Sequence, residues 1–135
     1  MDGDYDFAIV LNPGAAAIHR SCMNYDTIVR RPLLSAALGD RNVSTVEVRE
    51  IIFQPGQRTG RHLHPCPVVG YIAEGTAILQ VEGEAAVTLA TGSAFHEPAR
   101  ATVARFDNAS ETAPMRFIAY YLVDGEQELI EMLPE

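Results

Sequence analysis

The chain has 135 residues, 47% of them apolar, and 10 basic against 18 acidic side chains give a net charge of −8. That length fits a single domain with a real hydrophobic core, and the apolar fraction is that of a folded globule. The negative balance repels phosphate backbones and anionic lipid surfaces, so neither nucleic acid nor a membrane is expected as a partner.

The N-terminus, "MDGDYDFAIV", is acidic where a secretory leader needs basic residues. The apolar stretch "AIVLNPGAAAI" is interrupted by Asn12, Pro13 and Gly14, well short of a membrane span. A cytoplasmic protein is the expectation. Cys22 and Cys66 form no CxxC pair, which favours reduced thiols over a disulfide. Residues 1–41 lack clear periodicity and read as an N-terminal arm, in which "RRPLLSAALGD" offers one short helical turn after Pro32, stopped at Gly39.

From residue 42 the texture changes. "VSTVEVREIIF" alternates Val46, Val48 and Ile52 with Glu47 and Arg49, the period of a half-buried strand, and "QPGQRTG" ends it. "VVGYIA", "TAILQVEG", "AAVTLATG", "SAFHEP", "ATVARFD" and "MRFIAYYLV" follow, each rich in strand formers and bounded by Gly, Pro, Asn or Asp. No helical period of adequate length appears after residue 42, so residues 42–135 are expected to form a sandwich or barrel rather than βαβ units. The acidic tail "DGEQELIEMLPE" either covers an edge strand or frays.

The stretch "PGQRTGRHLHPCPVVGYIAEG" resembles the first motif of the cupin family: Gly56, five residues, His62, Leu63, His64, then a strand ending at Gly75. "GSAFHEPARATVARFDN" resembles the second, with Gly92 and Pro98 correctly spaced. The resemblance implies an all-β double-stranded β-helix, or jelly roll, enclosing a pocket for a small molecule, and a homodimer formed through the sheets, with the N-terminal arm packed on the partner. In cupins of the metal-binding type a Glu follows the His pair and a third His comes from the second motif; those positions here are Val68 and Val103. The Gly expected after the proline is Arg100, and the motif's asparagine falls at Asp107 or, with a slip of one, at Asn108.

Alternation along a strand puts His62 and His64 on one face with Cα atoms roughly 6.5 to 7 Å apart, close enough to share an ion. A third ligand must come from elsewhere. If Phe95 points inward, the same parity sends Glu97 inward and His96 outward, so Glu97 is the favoured third ligand and His96 the alternative. The metal would be a divalent ion such as Fe, Mn, Ni or Zn. Val68 and Val103 make that side of the pocket apolar. Arg105, sharing parity with Val103, is a candidate to pair with a substrate carboxylate, although an outward-facing arginine is the commoner case. Arg58, Arg61 and Arg100 lie in loops that can surround a barrel mouth. Cys66 reads as a small buried residue, and Phe117, Tyr120 and Tyr121 as sheet-packing residues. Two other readings stay open: a binding module with no metal, in which the histidines only hydrogen-bond, and a metal-free isomerase using one of them as general base.

Overall fold

The computed structural model describes residues 27–135. Cys22 and the first part of the expected N-terminal arm lie outside the described residues. Residues 27–44 contain no helix, so the turn expected after Pro32 is absent. A lone turn gains too few hydrogen bonds to offset the cost of nucleating it. Among the described residues no helix is long and apolar enough to cross a membrane.

The unit spanning residues 34–135 is built from nine described strands. In chain order they are β1 (Thr45–Phe53), β2 (His62–Leu63), β3 (Val68–Glu74), β4 (Ala77–Val81), β5 (Val87–Leu89), β6 (Ala94–Glu97), β7 (Val103–Asn108), β8 (Met115–Val123) and β9 (Glu131–Met132). They form two antiparallel sheets, ordered β9-β2-β7-β4-β5 and β1-β8-β3-β6. Apart from the β4–β5 hairpin, consecutive strands cross between the sheets, and this returning path is the jelly roll. The tail covers an edge: β9 pairs with β2, placing Met132 opposite His62 and Glu131 opposite Leu63.

Period-two burial follows directly from the sequence pattern. In β8, Met115, Phe117, Ala119, Tyr121 and Val123 all turn inward and are buried. Phe106, Phe95, Phe53 and Phe117 meet between the sheets, with ring centroids from 4.9 to 6.2 Å apart and mostly edge-to-face. Each buried phenylalanine contributes about 2 kcal/mol of apolar burial, so this cluster anchors one end of the core. Gly70 lets the Phe95 ring lie against the backbone of β3, because a Cβ there would collide with the ring. Gly75 turns the chain at φ +86°, with the position of a Cβ only 2.7 Å from the Pro114 carbonyl oxygen.

One strand breaks its own alternation. Gln80 faces Arg105, but Val81 faces Val103, so β7 carries an extra residue against β4. The bulge lets both Val103 and Phe106 reach the core and turns Arg105 away from it. Arg105 therefore does not share Val103's side, as simple parity expects.

A candidate metal centre

His62 lies in β2, a strand of only two residues between β7 and β9, and His64 follows directly after it. His62 is 1% exposed and His64 5%. Each ring is fixed through its Nδ1: that of His62 lies 2.7 Å from the Gly60 carbonyl oxygen, and that of His64 2.6 Å from the Leu129 carbonyl oxygen. A carbonyl can only accept, so both Nδ1 atoms donate and both Nε2 atoms are turned toward the interior. The two rings meet edge-to-face with centroids 5.0 Å apart.

Glu97 arrives from the opposite sheet. In β6, Phe95 and Glu97 are buried while His96 turns to the other side, where its Nε2 finds no hydrogen-bond partner among the described residues and burial lowers its pKa. Glu97 is 3% exposed, with Oε1 at 2.6 Å from His64 Nε2 and 4.0 Å from His62 Nε2. The three potential donor atoms all lie within 4.8 Å of one another.

Electrostatics bind the group together. Burial is the strongest influence on Glu97 and opposes its charge, but contacts with His62 and His64 outweigh it and lower the pKa from 4.5. Burial likewise opposes the charging of His62, yet Glu97 and the Gly60 carbonyl outweigh it and raise the pKa from 6.5. With both Nδ1 atoms committed to carbonyls, the Nε2 atoms are the ring atoms left to meet Glu97 or a divalent ion.

The donor set fits such an ion. Ligand atoms bound about 2.1 Å from one metal are roughly 3 to 3.5 Å apart, and the observed 2.6 and 4.0 Å bracket that spacing. Histidines tied back to carbonyl oxygens are the usual outer support of metal-bound imidazoles, setting ring orientation and tautomer.

The valines stand beside these donors. Val103 lies directly opposite His62, and Val68 directly opposite Glu97. Opposed residues share a face with Cβ atoms about 5 Å apart. Glu97 therefore presents its carboxylate from the strand beside the position where the family pattern has its glutamate. The same row continues through Tyr121 to Glu47. Tyr121, which the sequence suggests only as a packing residue, also walls the site, its ring 5.8 Å from that of His64. Its part and Leu129's become visible only once strand register is known.

The arginines lie elsewhere. Arg105 binds Asp107 through Nε at 2.8 Å and Nη2 at 2.7 Å, and shares with Arg58 a surface groove of about 350 Å³. Arg61 grips Glu82 through two contacts of 3.1 and 3.2 Å and donates to the Pro134 carbonyl. Arg100 sits in the turn after Pro98 at φ 65°, the left-handed conformation that suits the family's glycine, and its backbone N–H donates to the His64 carbonyl at 2.7 Å. Cys66 is fully buried in the core, and burial raises its pKa. A second groove, of about 490 Å³, is lined by Glu47, Arg49, Gln127 and Leu129 among others. It borders the metal candidate through Leu129, which holds His64, and through Glu47, the neighbour of Tyr121.

A jelly roll with imidazole and carboxylate donors turned into its interior defines a β-barrel of the cupin type. The chain belongs to the cupin domain family, whose model matches residues 49–129. No curated protein matches it. Among solved structures it is similar to a cupin-like protein from Thermotoga maritima, at 23% identity and TM-score 0.57 over 65% of this chain and 64% of that one. It is also similar to the oxalate decarboxylase of Lactobacillus farciminis in its formate complex, at 20% identity and TM-score 0.57 over 66% of this chain and 27% of that one. A DMSP lyase from Ruegeria pomeroyi matches at 17% identity and TM-score 0.56 over 64% of this chain and 42% of that one. The chain thus spans less than two thirds of each of these proteins, and at such identities the likeness is one of fold.

Proposed function

We propose that the protein binds a divalent metal ion through His62, His64 and Glu97 and uses it in an enzymatic reaction on a small molecule. The observation that carries this reading is the convergence of two imidazole Nε2 atoms and one buried carboxylate oxygen, with both Nδ1 atoms already committed to backbone carbonyls. Two histidines and one carboxylate with open positions are the donor set of non-haem iron oxygenases, and the same set serves hydrolytic zinc. The ion, when bound, supplies Lewis acidity or a centre for oxygen chemistry. The chain's own residues orient the donors, exclude water through Val68, Val103 and Tyr121, and admit substrate from the groove beside Glu47 and Leu129.

A second reading is favoured by the 2.6 Å approach of His64 to Glu97, which gives the buried carboxylate a close polar partner without any metal. The barrel would then be a binding module with an apolar wall at Val68 and Val103. Elemental analysis of untagged protein, supplied with Fe, Mn, Ni and Zn in turn, separates the two. About one ion per chain, absent from the His62→Ala/His64→Ala double variant, is expected for the metal reading. Background metal in both proteins leaves the binding module.

A further inference from the structure

We infer that residues 127–135 form a strap that opens apart from the rest of the barrel and is latched shut through His64, so that a divalent ion on His64 and closure of the strap reinforce each other. The coupling to the ion rests on the proposed function, whereas the latch does not. The strap runs antiparallel along the whole donor segment. At its near end Gln127 Nε2 donates to the Pro65 carbonyl at 3.4 Å, just past His64. Glu131 then lies opposite Leu63 and Met132 opposite His62, and the Leu133 N–H donates to the Arg61 carbonyl at 3.0 Å. At the far end the Arg61 guanidinium donates to the Pro134 carbonyl at 3.0 Å, and the Arg61 N–H to Glu135 Oε2 at 3.2 Å. Between these ends the Leu129 carbonyl accepts from His64 Nδ1 at 2.6 Å, shorter than any of them.

Little else holds the strap. None of its residues is buried, Gln127, Leu129 and Leu133 are half-buried, and Leu129 packs against the core. Segments with few buried apolar contacts and exposed hydrogen bonds open locally, at a lower free energy than global unfolding. On its other side β2 meets β7 only where His62 faces Val103, so the strap supplies more of the donor segment's pairing than the barrel does. His64 joins the two, touching the strap through Nδ1 and Glu97 through Nε2. A divalent ion at Nε2 leaves the proton on Nδ1 and polarises that N–H, which strengthens its bond to the Leu129 carbonyl. By linkage, the factor by which the ion tightens the strap equals the factor by which the closed strap tightens the ion.

Hydrogen exchange followed by NMR on the isotope-labelled full chain, with and without zinc, tests this. In the metal-free wild type the Leu133 N–H should exchange at least about tenfold faster than the Ile72 N–H, which donates to the Ser93 carbonyl within the barrel. Zinc, bound at about one ion per chain, should slow Leu133 exchange at least about fivefold. Without zinc, His64→Ala should speed it at least about fivefold by removing the latch. His62→Ala should leave it within about twofold, since the Nδ1 of His62 is tied to Gly60 and not to the strap. Arg61→Ala, at the surface, covers the case in which His64→Ala fails to fold: a single opening should speed exchange of the Leu133 N–H and of the His64 Nδ1 proton by the same factor. Bound zinc that leaves Leu133 exchange unchanged overturns the coupling and spares the proposed function. A wild type that binds no zinc removes the proposed function and the coupling together, and the metal-free rates then decide the latch. Leu133 exchange no faster than that of Ile72, or unmoved by His64→Ala, overturns the latch, as do unequal factors in Arg61→Ala.

Discussion

The segments 56–75 and 92–108 build the site from opposite directions. The first keeps both histidines in place and lets the strand position that usually follows them become Val68. The second has valine at the histidine position, arginine at the glycine position, and delivers a carboxylate from Glu97 instead. What survives in the second is backbone geometry: Arg100 still adopts the left-handed turn and still ties that turn to the His64 carbonyl. The comparison teaches that a candidate donor can stand on the adjacent strand and still reach the same place, because register fixes which residues are neighbours.

The strongest way to break that comparison is to move the carboxylate back. Glu97→Val should weaken metal affinity by at least about 100-fold, roughly 2.7 kcal/mol, by removing the charged donor. Adding Val68→Glu to that variant restores a carboxylate on the opposed residue of the same face, and affinity should recover to within about tenfold of the wild type. Competition against a chelator measures both. No recovery would show that the two positions are not interchangeable and that the transposition reading fails.

Without metal, the same group should leave a mark on stability against pH. His62 has a raised pKa, so its contribution is full below about 6.5 and fades as pH rises through the folded value. Glu97 has a lowered pKa, so its contribution is full above about 4.5 and fades as pH falls through the folded value. The stability difference between wild type and Glu97→Gln should therefore be greatest between about pH 4.5 and 6.5, on the order of 2 kcal/mol, and narrow on both sides. Burial lowers the His96 pKa in both proteins, whereas the opposing influence of Glu97 acts only in the wild type. Urea titrations of the metal-free proteins across that range measure it, and a flat difference would remove the buried pair from the account.

Strand chemistry made the architecture readable: short β-branched runs between turn residues, and two spaced motifs, led to an all-β cupin without coordinates. Period two is a sound guide in β6, where Phe95 and Glu97 turn the same way, because that strand pairs evenly with β3. It fails in β7, where the bulge opposite Val81 separates Arg105 from Val103. A bulge has no letter of its own here, and neither do the carbonyls of Gly60 and Leu129 that aim the two imidazoles. The closeness of Tyr121 to His64 depends in the same way on cross-strand register, which no single strand's pattern contains.

The smallest expected effect concerns Arg100, and it isolates backbone from side chain in the second segment. A non-glycine residue in the left-handed region costs about 1 kcal/mol, and Arg100 is the one described residue other than glycine with positive φ. If the turn matters only for its conformation, Arg100→Gly should stabilise the fold by up to about 1 kcal/mol, offset in part by the greater freedom of glycine in the unfolded chain. Metal affinity should be unchanged, since the hydrogen bond to the His64 carbonyl comes from the backbone N–H. A loss of stability or of affinity would instead assign a role to the guanidinium, and would return one of the loop arginines to the wall of the site.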